Sequence, residues 1–206
     1  NYETSYAESI MSVVSTWGSK LNMIVASVNT GIIVSLIPNL TASLTSNNME
    51  DVKKKINQAL QMIIFLVIPM VMGLSFLAKP VWTVFYGATA ANSYGTVAYQ
   101  YFVFVALAAA LYTSTITMVQ VLKEYKAVFW LLISGLMIKV LFNVPLIYGF
   151  SKMGLPAYYG AFTATILGDV VPAIFALAFM KKKYNLNYEG TIKRFFNILI
   201  GCIIMV

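Results

Sequence analysis

Two charged residues stand in the middle of long apolar stretches of this sequence. Lys139 lies in the segment GLMIKVLFNVPLI, and Asp169 lies in the segment ATILGDVVPAI. An ionised side chain at the centre of a bilayer costs on the order of 3 kcal/mol, even on the most lenient insertion scale. Charged residues at such positions therefore pair with each other or line a polar pathway for a substrate, an ion or a proton.

The two charges lie at similar depths in neighbouring predicted helices. Lys139 is about 11 residues, or roughly 16 Å, and Asp169 about 13 residues, or roughly 20 Å, from the outer ends of helices 127–150 and 157–180. A short turn joins these helices, so we predict a contact between the two side chains, direct or through water, facing a cavity. Asn143 is one helical turn from Lys139 on the same face and could join this contact.

Several roles for this pair remain open at this stage. It could be a structural ion pair that fixes helix packing, or one or both residues could line a transport pathway. The Asp169 carboxyl group could instead titrate with a coupling ion or proton. Lys139 could also extend its ammonium group towards the interface, although its depth disfavours this.

The predicted helix 17–46 is more polar than a lipid-facing helix. Such helices border a polar cavity or pack against other helices, which makes Asn29 a candidate cavity residue. Lys20, at the outer part of this helix, is either an interfacial lysine beside Trp17 or a cation for an anionic group such as pyrophosphate. The polar residues of this helix are Lys20, Asn22, Ser27, Asn29, Thr30, Ser35 and Asn39.

The overall composition indicates an integral membrane protein. Of the 206 residues, 60% are hydrophobic and 10% are charged, whereas a soluble domain is about half apolar and a quarter charged. The sequence has no His, which excludes histidine catalysis, and its single Cys202 excludes an intrachain disulfide. With no clustered acidic residues either, we predict no catalytic residue, no metal site and no cofactor, and hence a protein that is not an enzyme.

The apolar stretches predict an all-α membrane domain over residues 1–206, with five complete transmembrane helices and the start of a sixth. About 20 residues of helix cross the roughly 30 Å hydrocarbon core. The chain does not begin with Met, and it ends inside an apolar run. We therefore expect a partial transport domain from a longer protein. The predicted helices cover residues 17–46, 56–78, 97–122, 127–150, 157–180 and 195–206.

The distribution of Lys and Arg predicts the orientation of the helices. Loops after the first, third and fifth helices hold ten of them, against two in the loops after the second and fourth. Cytoplasmic loops carry such an excess, so the first helix is predicted to run from outside to inside. The same bias accounts for the net charge of +7 and leaves no reason to expect nucleic-acid binding.

Several short motifs occur in one order and at one spacing that together resemble a known family. They are PNLT at residues 38–41, a basic hinge, INQAL, IPMVMGLSFLAKPVWTVFYG, IKVLFNVPLI and GAFTATILGD. The sequence resembles the polysaccharide-flippase branch of the multidrug/oligosaccharidyl-lipid/polysaccharide exporter superfamily. Within it, the sequence is most similar to the group of stage V sporulation protein B and the lipid II flippases.

The resemblance implies a 14-helix protein in which two lobes rock around a central cavity by alternating access. This chain would supply helices eight to twelve and the start of thirteen, with the first lobe missing. Members of the family move polyprenyl-pyrophosphate-linked saccharides, such as lipid II or another cell-envelope glycan precursor, from the inner to the outer leaflet. The expected location is the bacterial cytoplasmic membrane, with membrane lipids and the lipid-linked oligosaccharide as partners.

Lipid II flippases hold the pyrophosphate with cavity arginines, and one of these corresponds to within a residue of Lys20. A lysine lacks the bidentate grip of an arginine, which leaves another lipid-linked sugar possible as the substrate. The substrate-binding candidates are Lys20, Asn29, Lys139 and Asn143, with Asp169 as an ion-coupling or ion-pair candidate. The alternatives are a cation-coupled drug or metabolite exporter of the same superfamily and a membrane scaffold without transport.

Overall fold

The structure is a computed structural model, and it describes residues 8, 10–87 and 94–204. These residues form helices and short turns without a strand, so the predicted all-α membrane fold is confirmed. A π-helical turn, Val14–Gly18, leads into the first α-helix. The α-helices are α1 (Ser19–Thr45), α2 (Met49–Phe76), α3 (Ala78–Tyr86), α4 (Tyr94–Val121), α5 (Tyr125–Lys152), α6 (Tyr158–Tyr184) and α7 (Glu189–Ile204).

Five helical stretches are long and apolar enough to span a membrane. The central one is α4, which packs against α1, α2 and α6. Half of its most apolar window is buried in the protein, against 17% of the corresponding window of α5. Because α5 packs chiefly on α6, it leaves large apolar side chains such as Phe129 and Trp130 exposed on the outside of the helix bundle. The five stretches are Ile10–Thr45, Met49–Phe76, Gly95–Val121, Tyr125–Lys152 and Tyr158–Tyr184.

The basic segment after α1 is helical, which corrects the predicted hinge and the predicted helix start at residue 56. α2 begins at Met49, because the side chain of Asn48 accepts a hydrogen bond of 3.1 Å from the backbone N–H of Asp51. One turn later, Lys55 Nζ lies 2.8 Å from Asp51 Oδ2. An N-cap and an i,i+4 ion pair thus extend the helix beyond its apolar part, so apolar run length underestimated it.

The second basic segment, residues 181–194, also belongs mostly to helices. α6 continues to Tyr184 and ends where Asn185 adopts a left-handed conformation with φ of 57°. Lysines in the last turn of a helix interact favourably with its dipole, which explains why charge does not end α6 at residue 180. α7 begins at Glu189 rather than at residue 195. Residues 205 and 206 of the predicted last segment lie outside the described residues.

The aromatic residues of α3 form an internal cluster. Trp82 is fully buried. Its ring lies 5.1 Å from the Tyr99 ring, and Tyr86 stacks on Trp17 at 4.8 Å between centroids. The chain turns at Leu77, so α3 packs back onto α2 and α4 and directs these rings inwards.

Candidate functional site

The predicted contact between the two mid-membrane charges is present in the structure. Lys139 Nζ on α5 lies 2.7 Å from Asp169 Oδ1 on α6. The Asp169 side chain is 5% exposed, whereas the Lys139 side chain is 39% exposed. The negative charge of the buried Asp169 carboxylate is therefore balanced by the Lys139 ammonium group, whereas the Lys139 side chain also reaches the protein surface.

Two glycines bring α5 and α6 close enough for this pair to form. A Cβ atom on Gly135 would lie 2.9 Å from the carbonyl oxygen of Gly168, and a Cβ atom on Gly168 would collide with the alkyl chain of Lys139. The lysine side chain thus runs across Gly168 to reach its partner. From α4, Tyr112 places its ring centroid 6.0 Å from the Lys139 ammonium, within the range of a weak cation–π contact.

Asn143, predicted to join the pair, lies outside it. Its side chain is exposed, and no hydrogen bond connects it to Lys139 or Asp169 in the described chain. No cluster of three His, Cys, Asp or Glu side chains within residues 8, 10–87 and 94–204 has the arrangement of a metal site. A role of Asn143 in substrate binding remains a prediction.

A second polar region is a groove between α1 and α4 with a volume of about 470 Å³. Among the residues that the structure describes, none of those lining the groove is charged, which distinguishes it from the α5–α6 pair. Its accessible surface is mainly apolar, and six uncharged polar side chains lie along it. The lining residues are Ser19, Asn22, Met23, Ala26, Asn29, Thr30 and Ile33 on α1, with Val105, Ala106, Ala109, Ala110, Thr113 and Thr117 on α4.

Asn29 lies at the floor of this groove and joins its two walls. The residue is 3% exposed. Its amide nitrogen donates to Thr113 Oγ1 at 3.1 Å and to the carbonyl oxygen of Ala110 at 3.4 Å. Its amide oxygen accepts a hydrogen bond of 2.9 Å from the Ser114 hydroxyl. These bonds use both amide hydrogens, so Asn29 holds the groove wall in place.

Most hydroxyl groups on the exposed side of α1 bond to their own helix. Ser27, Thr30 and Thr41 each donate to the carbonyl oxygen four residues earlier, at 2.7–2.8 Å. Such bonds satisfy the hydroxyl proton without water or a second helix. The number of polar residues on α1 therefore did not by itself indicate a water-lined face. Only those side chains of α1 that face α4 line the groove.

Asn22 is a groove residue that the list of predicted site residues did not include. Its amide nitrogen makes a long bond of 3.5 Å to the carbonyl oxygen of Phe102 on α4. Its amide oxygen is buried and has no hydrogen-bond partner in the described part of the chain. The available signal was its spacing of seven residues from Asn29, since residues two helical turns apart share a face.

Lys20 lies near the start of α1 and is exposed. Ser19 and Asn22 line the groove, but Lys20 projects from the neighbouring side of the helix. No carboxylate forms an ion pair with it among the described residues. The structure thus separates the predicted site residues, with Lys20 and Asn29 on α1 and Lys139 and Asn143 on α5.

A third polar contact joins the α4–α5 turn to the end of α6. Glu124 accepts a hydrogen bond of 2.6 Å from the Tyr184 hydroxyl and pairs with Lys183 at 2.5 Å. The hydrogen bond from Lys183, followed by that from Tyr184, lowers the pKa of the Glu124 carboxyl group. This contact holds the polar ends of the helices together and contains no group free to bind a solute.

The fold and these sites define an all-α, multi-pass membrane protein with polar groups inside its helix bundle. Residues 4–94 match a family described as "Polysaccharide biosynthesis protein". Over 200 residues, the chain is 31% identical to the protein named "Lipid II flippase MurJ" of Bacillus subtilis (strain 168), covering 97% of this chain and 36% of that protein. These similarities confirm the predicted resemblance to the MurJ-like group of polysaccharide flippases. No solved structure gives a significant match.

Proposed function

We propose that this chain is part of a flippase that moves a polyprenyl-pyrophosphate-linked saccharide from the inner to the outer leaflet of the bacterial cytoplasmic membrane. The substrate is lipid II or another precursor of a cell-envelope glycan. The observation that carries the proposal is an open groove of about 470 Å³ between α1 and α4, whose mainly apolar wall carries six uncharged polar side chains. Tight helix packing alone would not leave such a space. The name of the Bacillus subtilis relative supports the same substrate class.

The groove forms one wall of the proposed pathway, and the rest of the polypeptide supplies the facing wall. The chain spans 36% of the length of its Bacillus subtilis relative. In the proposed arrangement, the missing first lobe covers the exposed side of α1, and the two lobes rock to open the cavity alternately to each side. This is a transport function, and no residue of the chain is assigned a catalytic step.

Lys20 is proposed to attract the pyrophosphate of the substrate. It is exposed and has no acidic partner among the described residues, so its charge is available to an anion. A lysine binds phosphate as a point charge, which tolerates an off-axis approach. Lys139 differs because Asp169 already neutralises it, so we propose that this pair holds α5 against α6. Asn143, which is exposed on α5, remains a candidate for contact with the substrate.

The test is growth rescue with the full-length gene in a bacterium depleted of its own lipid II flippase. Wild type, Lys20→Ala and Lys79→Ala are expressed at equal membrane levels, with Lys79 as an exposed lysine outside the groove. We expect rescue by wild type and Lys79→Ala and loss of rescue by Lys20→Ala. Rescue by all three would remove Lys20 from the pathway while keeping the function. Failure of a well-expressed wild type would contradict lipid II as the substrate.

A further inference from the structure

Four exposed lysines surround the contact between the α4–α5 turn and the end of α6. In this contact, Glu124 of the turn lies 2.5 Å from Lys183 Nζ and accepts a hydrogen bond of 2.6 Å from the Tyr184 hydroxyl. The contact brings the residues on either side of Glu124 close to those that precede Lys183. The four lysines form the basic cluster, which consists of Lys123, Lys126, Lys181 and Lys182.

The positive charge of the basic cluster is not balanced within the described chain. From the α4–α5 turn to the end of α6, the sequence contains two acidic residues, Glu124 and Asp169. Asp169 is paired with Lys139 inside the bundle, and Glu124 is already paired with Lys183. No carboxylate of the described residues forms an ion pair with a lysine of the basic cluster. The four ammonium groups are therefore available to an anion.

Exposed aromatic rings lie one helical turn deeper along α5. Phe129 and Trp130 are 58% and 68% exposed, and their ring centroids are 5.8 Å apart. Trp130 follows Lys126 by four residues, so the two side chains share a face of the helix. Trp is favoured at the boundary between lipid headgroups and acyl chains. This face of α5 thus presents a cation and, towards the centre of the membrane, an apolar surface.

The combination of cations and an adjoining apolar surface favours an amphipathic ligand. A soluble anion would contact the lysines but not the rings, whereas a phospholipid contacts both. We propose that the basic cluster binds the headgroup phosphate of an anionic phospholipid, whose acyl chains lie along Phe129 and Trp130. Ammonium groups bind phosphate as point charges. Basic pockets at the cytoplasmic ends of transmembrane helices bind anionic headgroups, and the cluster lies at the end of the bundle predicted to face the cytoplasm.

The proposed site is local, which distinguishes it from the general attraction of a basic protein surface to anionic lipid. Other basic residues at the same end of the bundle lie on α2 and α7. Among them, Lys54, Lys193 and Arg194 are exposed and form no ion pair with another described residue. A diffuse positive potential would depend on these residues as much as on the basic cluster, whereas a local site would not.

The experiment measures which lipid contacts Trp130 in the full-length protein. The protein is reconstituted into bilayers of phosphatidylglycerol and phosphatidylcholine, in which one of the two lipids carries brominated acyl chains. Bromine quenches Trp fluorescence on contact. Subtracting the quenching measured in a Trp130→Phe background isolates the signal of Trp130. The ratio of quenching by the two brominated lipids then gives the local preference for the anionic lipid.

The test variant removes three charges of the basic cluster and is Lys126→Gln/Lys181→Gln/Lys182→Gln. For wild type, we expect a preference for phosphatidylglycerol of about fivefold, since a single Lys near an anionic lipid surface contributes an effect of that size. The test variant should reduce the preference to less than about twofold. The corresponding triple Lys→Arg variant keeps the charges and should keep the preference.

The control is Lys54→Gln/Lys193→Gln/Arg194→Gln, which removes the same charge from the same end of the bundle. This variant should keep the wild-type preference at Trp130. Equal quenching of wild type by the two lipids would overturn the proposal, as would an unchanged preference in the test variant. Equal losses in the test and control variants would show a diffuse potential in place of a site and would overturn it as well.

Discussion

The α5–α6 and α1–α4 interfaces solve the problem of polar groups in a membrane differently. Between α5 and α6, one buried carboxylate is matched to one ammonium at 2.7 Å, and glycines close the surrounding space. Between α1 and α4, the polar groups are neutral and share several hydrogen bonds, and a groove of about 470 Å³ stays open. At the α5–α6 interface, the two charges neutralise each other and the helices are in close contact. At the α1–α4 interface, an acceptor such as Asn22 Oδ1 has no partner among the described residues.

The difference shows why the most conspicuous charges are not the best candidates for substrate contact. A charge in an apolar environment must be compensated at once, so its partner is usually in the same protein. Leaving a neutral amide or hydroxyl group without its full set of hydrogen bonds costs less free energy than leaving a charge unpaired. Such a group can therefore stay partly unsatisfied until a ligand binds. By this reasoning, we expect the α5–α6 interface to support the fold and the α1–α4 groove to face the proposed pathway.

The largest expected effect is at Gly160, where α6 approaches the backbone of α5. A Cβ atom there would lie 2.6 Å from the backbone nitrogen and Cα of Ile147, which cannot move aside as a side chain could. We expect Gly160→Leu to prevent α5 from packing on α6, so that little folded protein is recovered after detergent extraction and size-exclusion chromatography.

The matched control is Gly149→Leu on α5, because a Cβ atom at Gly149 would meet no atom within 4 Å. This variant should be recovered like wild type. Equal recovery of the two variants would mean that the interface is loose, and the contrast between a closed and an open interface would then be wrong.

The next largest effect is a loss of stability at the ion pair, and it should differ between the two partners. Lys139→Met leaves the Asp169 carboxyl group, 5% exposed, without its cation, and we expect a loss of about 3–5 kcal/mol. Asp169→Asn leaves an ammonium group that is 39% exposed, so about 1–3 kcal/mol is expected. Thermal unfolding of the purified full-length variants in detergent measures the order.

The double variant Lys139→Met/Asp169→Leu sharpens this test. Replacing a buried pair with apolar residues removes both desolvation penalties, so it should be more stable than Lys139→Met alone. Equal losses for the two single variants would show that both charges are buried to the same extent in the membrane. A double variant no better than Lys139→Met would show that packing, not charge, dominates the site.

The α5–α6 contact was predictable because the sequence offers few alternatives. Lys139 and Asp169 lie at matching depths in helices joined by a short turn, and a membrane-buried charge needs a partner. The five transmembrane segments were equally accessible from apolar run length. The ends of the helices were harder to predict from the sequence. Asn48 and the ion pair at Lys55 extend α2 beyond its apolar part, and the length of the apolar run gives no information about either interaction.

The polarity of α1 predicted a bordering cavity and Asn29 as one of its residues, but it did not indicate which other side chains of α1 line the groove. Ser27, Thr30 and Thr41 look alike in the sequence, and all bond to their own helix. Only the direction in which each faces decides that Thr30 lines the groove and Thr41 does not. That direction depends on which side of α1 packs on α4, a tertiary property that residue type alone leaves undetermined.

The smallest expected effect is at Asn29, and its size tests whether the neutral interface is as tolerant as proposed. Asn29→Ala removes its bonds to Thr113 and Ser114, but Thr113 still donates to Ala109 at 2.8 Å and Ser114 to Ala110 at 2.6 Å. Because every partner keeps another bond, we expect a loss of about 1 kcal/mol, below that of Lys139→Met, in the same unfolding assay. A loss as large as that of Lys139→Met would mean that the α1–α4 network is as tightly coupled as the ion pair. The groove would then be a rigid structural seam, with little tolerance for the exchange of partners that substrate binding requires.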